Sequence, residues 1–268
     1  MKAITKYFKK RKTAIIFLLE KPKQEYTPET YHQLRVEIKK LDAFMHLIKF
    51  CAKDFMRKKS FKLFTVIFRQ AGKMREIYIE QAMLKNYFTN NVLKAYSVKL
   101  KKSQVTALEK YISLVSIKYI TKLKKNFREM TSFLKNINKK RGEGYIEKQK
   151  KDIEKLLSPI NVKPSQLHTL RKKLKKLIYI RKILSYEKPV DPIPQKDNLP
   201  ELLGKWHDCQ IVIRHLKKTI DAEVIDSRAA KQLQKTKTKI MSDKLELFNK
   251  VKIEICRLQK ENILTAQK

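Results

Sequence analysis

Residues 31–41 read YHQLRVEIKKL, and residues 167–177 repeat this pattern as LHTLRKKLKKL. The two stretches align without gaps and are identical at six of their eleven positions. The shared positions are His32/His168, Leu34/Leu170, Arg35/Arg171, Lys39/Lys175, Lys40/Lys176 and Leu41/Leu177. Apolar residues recur every three or four positions in both, which predicts two amphipathic helices of one design.

A second pair of related blocks follows, AGKMREIYI at 71–79 and LGKWHDCQI at 203–211. Each has Gly-Lys and, two positions later, a basic residue before an acid: Arg75-Glu76 in one and His207-Asp208 in the other. The motif histidine and the glycine are 40 residues apart in the first copy and 36 in the second. Two blocks that recur in one order at nearly one separation predict an internal duplication. We expect a single domain, 1–268, made of half-repeats 1–140 and 141–268.

The remaining sequence favours helix throughout. Only 4 glycines occur among 268 residues, and the 8 prolines sit mostly in short clusters between long stretches of Leu, Ile, Lys and Glu. These breakers predict eight helices, near 2–20, 29–57, 60–95, 103–139, 144–157, 165–186, 198–222 and 228–262. The segment 187–200 contains four prolines and is predicted to be an extended loop. The fold class expected is all-α, with two pseudosymmetric four-helix bundles.

Two helix starts have local signals. Thr27 is an N-cap candidate before Pro28 at the first helical position, and Ser165 can cap the helix that follows Pro164.

The composition indicates an anionic partner. Lysine and arginine total 64 against 26 acids, a net charge of +38 that would repel itself in a compact fold unless anions offset it. Three cysteines without a CxxC pair favour reduced, buried thiols over a zinc site or a disulfide framework. The apolar run of residues 13–19 is short and ends in Glu20-Lys21, so we interpret it as part of a first helix. No stretch approaches the ~20 apolar residues of a membrane span, so we expect no membrane association and a cytoplasmic location.

The duplicated helices separate an apolar face from a basic one. In the first copy the apolar stripe is Leu34, Ile38, Leu41, Met45 and Ile48, and the basic face is His32, Arg35, Lys39 and His46. In the second copy the apolar side is Leu170, Leu174 and Leu177, and the basic side is His168, Arg171, Lys172, Lys175 and Lys182. Arginine is much scarcer than lysine here, yet it occupies the same place in both copies, where its planar fork can bind phosphate oxygens bidentately. We expect the two basic faces to converge on one groove or pore along the pseudo-two-fold axis.

These motifs resemble the CHAD family, whose two halves each carry a His-x-Leu-Arg helix and a later Leu-Gly-x-x-Arg/His-Asp element. The resemblance covers roughly residues 5–262. It implies two pseudosymmetric helical bundles around a central basic channel, and non-catalytic binding of inorganic polyphosphate, with association with polyphosphate granules as one possible setting. The binding residues that it implies are His32, Arg35, Lys39, Lys40, Arg75, His168, Arg171, Lys175 and Lys176. The helical wheel adds Lys172 to this set. No cofactor, metal ligand or catalytic residue is expected.

Two alternative functions stay open to test. Lysine-rich helices could bind the backbone of RNA or DNA without reading bases, although no recognition module is evident. His168 and the His207-Asp208 pair also resemble part of the ligand order of metal-dependent phosphohydrolases. The first copy has Arg75-Glu76 at the corresponding place, and because arginine cannot bind a metal ion, the duplication argues against an enzyme.

Overall fold

The computed structural model describes residues 2–85, 93–158, 163–184, 199–222 and 227–265, and this part of the chain is all-α. It forms nine α-helices: α1 (Lys2–Leu19), α2 (Pro28–Cys51), α3 (Arg57–Lys85), α4 (Lys94–Leu114), α5 (Ile117–Thr131), α6 (Lys139–Leu157), α7 (Pro164–Leu184), α8 (Leu199–Asp221) and α9 (Ser227–Thr265). The all-α class predicted from the sequence is confirmed. The loop predicted at 187–200 lies outside the described residues, apart from its last two positions in α8.

The prediction of one helix over 103–139 is wrong, because the structure divides that segment between α4, α5 and the start of α6. Ser116 has extended backbone angles, φ −92° and ψ 160°, and its side chain accepts a hydrogen bond from the Tyr119 backbone N–H at 3.2 Å. This is an N-cap, which starts a new helix without glycine or proline. Glycine, proline and the Asn90-Asn91 pair are the breakers on which the prediction rests, and none of them stands near Ser116, so one helix too few was predicted for the described part of the chain.

The two predicted helix starts have different outcomes. Thr27 caps α2 as expected, with Pro28 at the first helical position, and its hydroxyl accepts the Thr30 backbone N–H at 3.3 Å. Ser165 does not cap α7, because that helix already begins at Pro164. The backbone N–H of Lys163, which has no partner within the helix, instead donates a hydrogen bond to Gln166 Oε1 at 2.8 Å.

The chain divides into two compact units that do not follow the halves of the sequence. Unit 1 comprises Met1–Arg75, Thr106–Asp152 and Lys173–Ile193, and unit 2 comprises Glu76–Val105, Ile153–Lys172 and Pro194–Lys268. Each unit therefore takes segments from both predicted half-repeats. The duplication is a feature of the sequence, and the half-repeat boundaries 1–140 and 141–268 stay a prediction.

Unit 1 has an aromatic and aliphatic core under α2. The predicted apolar stripe of α2 is confirmed, since its five residues, Leu34, Ile38, Leu41, Met45 and Ile48, are completely buried. α1 packs on α2 through Phe8, whose ring centroid lies 5.6 Å from that of Phe44 and 5.8 Å from that of Phe127 in α5. The N-terminal segment is thus a core helix of this unit.

Unit 2 is built around the packing of α8 against α9. Its core contains Ile79, Leu84, Leu93, Tyr96, Leu100, Cys209, Val212, Leu216, Leu233 and Ile240. Trp206 is buried beneath the Lys244 ammonium group, which lies 4.9 Å from the centroid of its ring. Among the described residues, none of the helices has the length and apolarity needed to cross a bilayer.

The cysteines depart in part from expectation. Cys51 and Cys209 are buried thiols as predicted, whereas Cys256 on α9 is exposed. The wrong prediction has a simple cause: α9 is 39 residues long, and Cys256 lies on its solvent face next to the buried Ile255.

Candidate anion-binding site

Arg35 of α2 lies against α3 in unit 1. Its Nη1 donates a hydrogen bond to the Phe68 carbonyl at 2.6 Å, and its guanidinium carbon lies 4.0 Å from the centroid of the Phe68 ring. A Cβ atom on Gly72 would stand only 2.4 Å from the same nitrogen. Glycine at position 72 therefore makes room for the arginine, and Arg35 is a half-buried residue held between two helices rather than a fully solvated one.

Three further cations surround His32, which is itself exposed at the start of α2. The pKa of His32 is lowered, first by partial burial and then by the charges of Arg75, Lys39 and Arg35, with Glu29 opposing them. These effects show that Arg75 of α3 comes close to the basic face of α2. The imidazole is consequently neutral at neutral pH in the protein without ligand. Four of the predicted residues, His32, Arg35, Lys39 and Arg75, form one cluster, which we call the His32 cluster.

Lys40 points toward a different neighbour. Its Nζ donates to Glu37 Oε1 at 2.7 Å, and the same carboxylate binds the buried Arg11 of α1, with Nη1 2.8 Å from Oε2. Lys40 is therefore held in an ion triplet on the α1 side of α2, whereas Arg35 lies on the α3 side. His32 and Lys40 both line a groove of about 390 Å³ between α1 and α2.

The second copy places its histidine beside a second one. The rings of His168 in α7 and His207 in α8 have centroids 4.9 Å apart and planes inclined by 40°. In the aligned blocks His168 corresponds to His32, and His207 corresponds to Arg75. The same two positions of the duplicated motifs thus interact electrostatically within unit 1 and lie ring beside ring within unit 2.

His207 is the residue that the sequence analysis did not include in the candidate site. The alignment of 203–211 with 71–79 already placed it opposite Arg75, which was included, so the signal was present. The pair His207-Asp208 was instead compared only with the metal ligands of phosphohydrolases, a function against which the duplication argues.

The other predicted residues of α7 are divided between the two units. Arg171, half-buried, and Lys172, exposed, belong to unit 2 with His168, whereas Lys175 and Lys176 belong to unit 1. The apolar side of this helix is also less complete than predicted, since Leu170 is buried but Leu174 and Leu177 are half-buried.

Lys176 lies near half-buried ion pairs of unit 1. Its pKa is lowered, first by burial and then by Arg57 and Lys173, while Asp42 and Asp152 oppose the shift. Asp42 forms an ion pair with Arg57 at 3.1 Å. Lys176 therefore has two acids nearby, whereas Glu29 is the acid that acts on His32.

In unit 2, two acids of α3 form ion pairs with α8. Glu80 is 2% exposed, accepts a short hydrogen bond from the Tyr96 hydroxyl and lies 2.8 Å from His215 Nδ1. His215 Nε2 lies 3.2 Å from Glu76, which also pairs with Arg214 at 3.1 Å. Hydrogen bonds to Glu76 and Glu80 raise the pKa of His215 to about 9. His215 is therefore an imidazolium at neutral pH, a role that no local sequence pattern indicates.

The two glycines of the second motif make a matched test of the Arg35 contact. We expect Gly204→Ala to raise the free energy of unfolding by about 0.5–1 kcal/mol, because alanine is the better helix former and no heavy atom lies within 4 Å of the new Cβ. Gly72→Ala should lack this gain and lower stability instead, since it displaces the guanidinium that donates to Phe68, a bond of about 1.5–3 kcal/mol. Urea unfolding of both variants measures the difference. Equal stabilisation in both would show that Arg35 does not depend on Gly72.

The protein is similar to known proteins in both sequence and fold. A model of the CHAD domain family matches residues 18–217. The crystal structure of the CHAD domain from the plant Ricinus communis is similar with a TM-score of 0.71 and 15% sequence identity, over 94% of this chain and 87% of that one. No curated protein matches the sequence. The structural likeness concerns the fold, and the family match covers most of the chain, so this protein belongs to the CHAD domain family.

Proposed function

We propose that this protein binds inorganic polyphosphate in the cytoplasm, without catalysing a reaction, through the cations of its duplicated motifs. The observation that carries the proposal is a recurrent pairing of positions: the charge of Arg75 acts on His32 in unit 1, and the ring of His207 lies 4.9 Å from that of His168 in unit 2. Core packing alone does not require a cation or an imidazole at both positions in both copies, whereas binding of a ligand with repeated phosphate groups accounts for them.

The His32 cluster has the chemistry that a phosphate chain needs. Contacts to charged groups contribute about 1.5–3 kcal/mol each, and micromolar affinity needs about 8 kcal/mol, so three to five simultaneous contacts suffice. Arg35 and Arg75 supply planar donors, Lys39 supplies an ammonium group, and neutral His32 can donate a ring N–H. An anion beside His32 offsets the repulsion from Arg75 that lowers its pKa, and therefore favours proton uptake by the imidazole.

A competition titration at fixed salt tests the ligand. We expect long inorganic polyphosphate to displace labelled polyphosphate at a lower total phosphate concentration than double-stranded DNA does. Affinity should fall steeply as salt rises, because each neutralised phosphate releases counterions. Displacement by DNA at an equal or lower phosphate concentration would favour backbone binding of nucleic acid and contradict the proposal.

A further inference from the structure

A second groove of unit 1 lies between α1 and α5 and has a volume of about 620 Å³. Ile16 and Phe17 of α1 are among the residues that line it, and Phe17 is 63% exposed. An exposed aromatic ring contributes nothing to the core, and here it forms part of the lining of a concave surface. Sites for small organic ligands have volumes of about 300–1,000 Å³ and combine apolar walls with a few polar groups.

The remaining lining is mainly cationic. Lys12, Lys124 and Arg128 face the groove, and Glu20 is the acid among its lining residues. Glu20 pairs with Lys124 at 2.7 Å and so offsets one of the three positive charges. The Lys21 ammonium group lies 5.5 Å from the centroid of the Phe17 ring and is itself paired with Glu25 at 3.1 Å. The ring of Phe17 is thus an apolar face with cations on more than one side.

Inorganic polyphosphate has no apolar group that could contact the apolar part of this groove. A nucleotide has an aromatic base that can stack on a phenylalanine ring, and its phosphates need cations a few ångströms away. Phe17 also lines the neighbouring groove between α1 and α2, with His32 and Lys40. The aromatic ring therefore lines two grooves of the same unit, and only the groove between α1 and α5 has more cations than acids in its lining.

We propose that the groove between α1 and α5 binds a nucleotide, with the base on Phe17 and the phosphates on Lys12, Lys124 and Arg128. The nucleotide can be free or part of a single strand, since both present the same base and phosphate chemistry. The phosphate contacts of this site, Lys12, Lys124 and Arg128, do not belong to the His32 cluster, and the inference does not depend on the polyphosphate proposal.

Direct binding measurements on the full chain test the stacking. ATP and inorganic tripolyphosphate carry the same number of phosphates, so their affinity ratio reports the contribution of the nucleoside. We expect ATP to bind about five- to a hundredfold more tightly, the range of a single base–aromatic stack. Phe17→Leu keeps an apolar side chain but removes the ring, and it should bring the ratio close to one. A wild-type ratio of one, or an unchanged ratio in Phe17→Leu, would overturn the proposal.

Phe50→Leu is the matched control. Phe50 is another exposed aromatic of unit 1, 39% exposed, with the Lys148 ammonium group 5.8 Å from its ring centroid, but it does not line this groove. The ratio of ATP to tripolyphosphate affinity should stay at the wild-type value in this variant. If Phe50→Leu lowers the ratio as much as Phe17→Leu does, the site is not the groove that we assign.

Two further measurements separate the sources of the nucleotide and the two proposals. The first compares two affinity ratios: oligo(dA) over an abasic strand of equal length, and ATP over tripolyphosphate. A larger ratio for the strands identifies the single strand as the ligand. An equal or smaller ratio for the strands identifies the free nucleotide. Long polyphosphate should bind Phe17→Leu and the wild type equally well. Loss of polyphosphate binding in Phe17→Leu would show that the two sites are one and overturn the inference.

Discussion

Replacing Arg75 and His207 together by glutamate is expected to weaken polyphosphate binding by about a hundredfold or more at low salt. The two residues occupy equivalent positions of the duplicated motifs: the charge of Arg75 acts on His32, and the His207 ring lies 4.9 Å from the His168 ring. Losing two contacts to charged groups removes about 3–6 kcal/mol of binding free energy, and the new carboxylates add repulsion. Competition titration with labelled polyphosphate measures the loss, and circular dichroism checks that helicity is retained.

A charge-matched variant is needed because the whole surface is basic. Lys118→Glu with Lys235→Gln changes the net charge by the same amount, counting histidine as neutral, and both lysines are exposed on α5 and α9. We expect this control to weaken binding only slightly, since distant surface charges are screened by salt. If the control loses as much affinity as Arg75→Glu with His207→Glu, binding depends on overall charge and the motif positions have no special part in it.

The free energy of unfolding should fall by about 3 kcal/mol as pH rises from 6.5 to above 9, because of His215. Its pKa in the folded protein is about 9, against 6.5 for an ordinary histidine. A raised folded pKa means stabilisation that is fully present below pH 6.5 and is lost as pH rises through 9. Deprotonation removes the positive charge that offsets Glu76 and the buried Glu80. Glu76 then keeps Arg214 as a partner, and Glu80 keeps the Tyr96 hydroxyl.

His215→Gln isolates this contribution from other groups that titrate in the same range. Glutamine keeps a hydrogen-bonding side chain but has no charge to lose, so the difference in unfolding free energy between wild type and variant should shrink steadily from pH 6.5 to 9.5. Urea denaturation at several pH values gives this difference directly. A constant difference over that range would show that His215 is not an imidazolium in the folded protein.

The sequence predicted best what depends on local periodicity. The apolar stripe of α2 and the cap at Thr27 both follow from spacing and residue type, and the structure confirms both. The division at Ser116 was not predictable by the same reasoning, because serine is compatible with a helix interior as well as with a cap. The choice between a continuous helix and a cap at Ser116 depends on the burial of neighbours such as Tyr119, which is a tertiary effect.

The candidate site shows the same limit. A helical wheel places Arg35 and Lys40 on the polar side of α2, but it says nothing about which neighbouring helix each one faces. The structure separates them, since Arg35 contacts Phe68 of α3 and Lys40 pairs with Glu37 and lies near Arg11 of α1. The acids near Lys176 likewise come from distant parts of the chain, where no local pattern could reveal them.

The contact between Arg35 and Gly72 also affects the entropy of binding. A long surface arginine loses about 0.5–1.5 kcal/mol of conformational freedom when a ligand immobilises it. Arg35 already has its rotamer fixed by the Phe68 carbonyl, the Phe68 ring and the space above Gly72. Much of that ordering therefore takes place when the chain folds, and a phosphate that meets this arginine binds a side chain with little freedom left to lose.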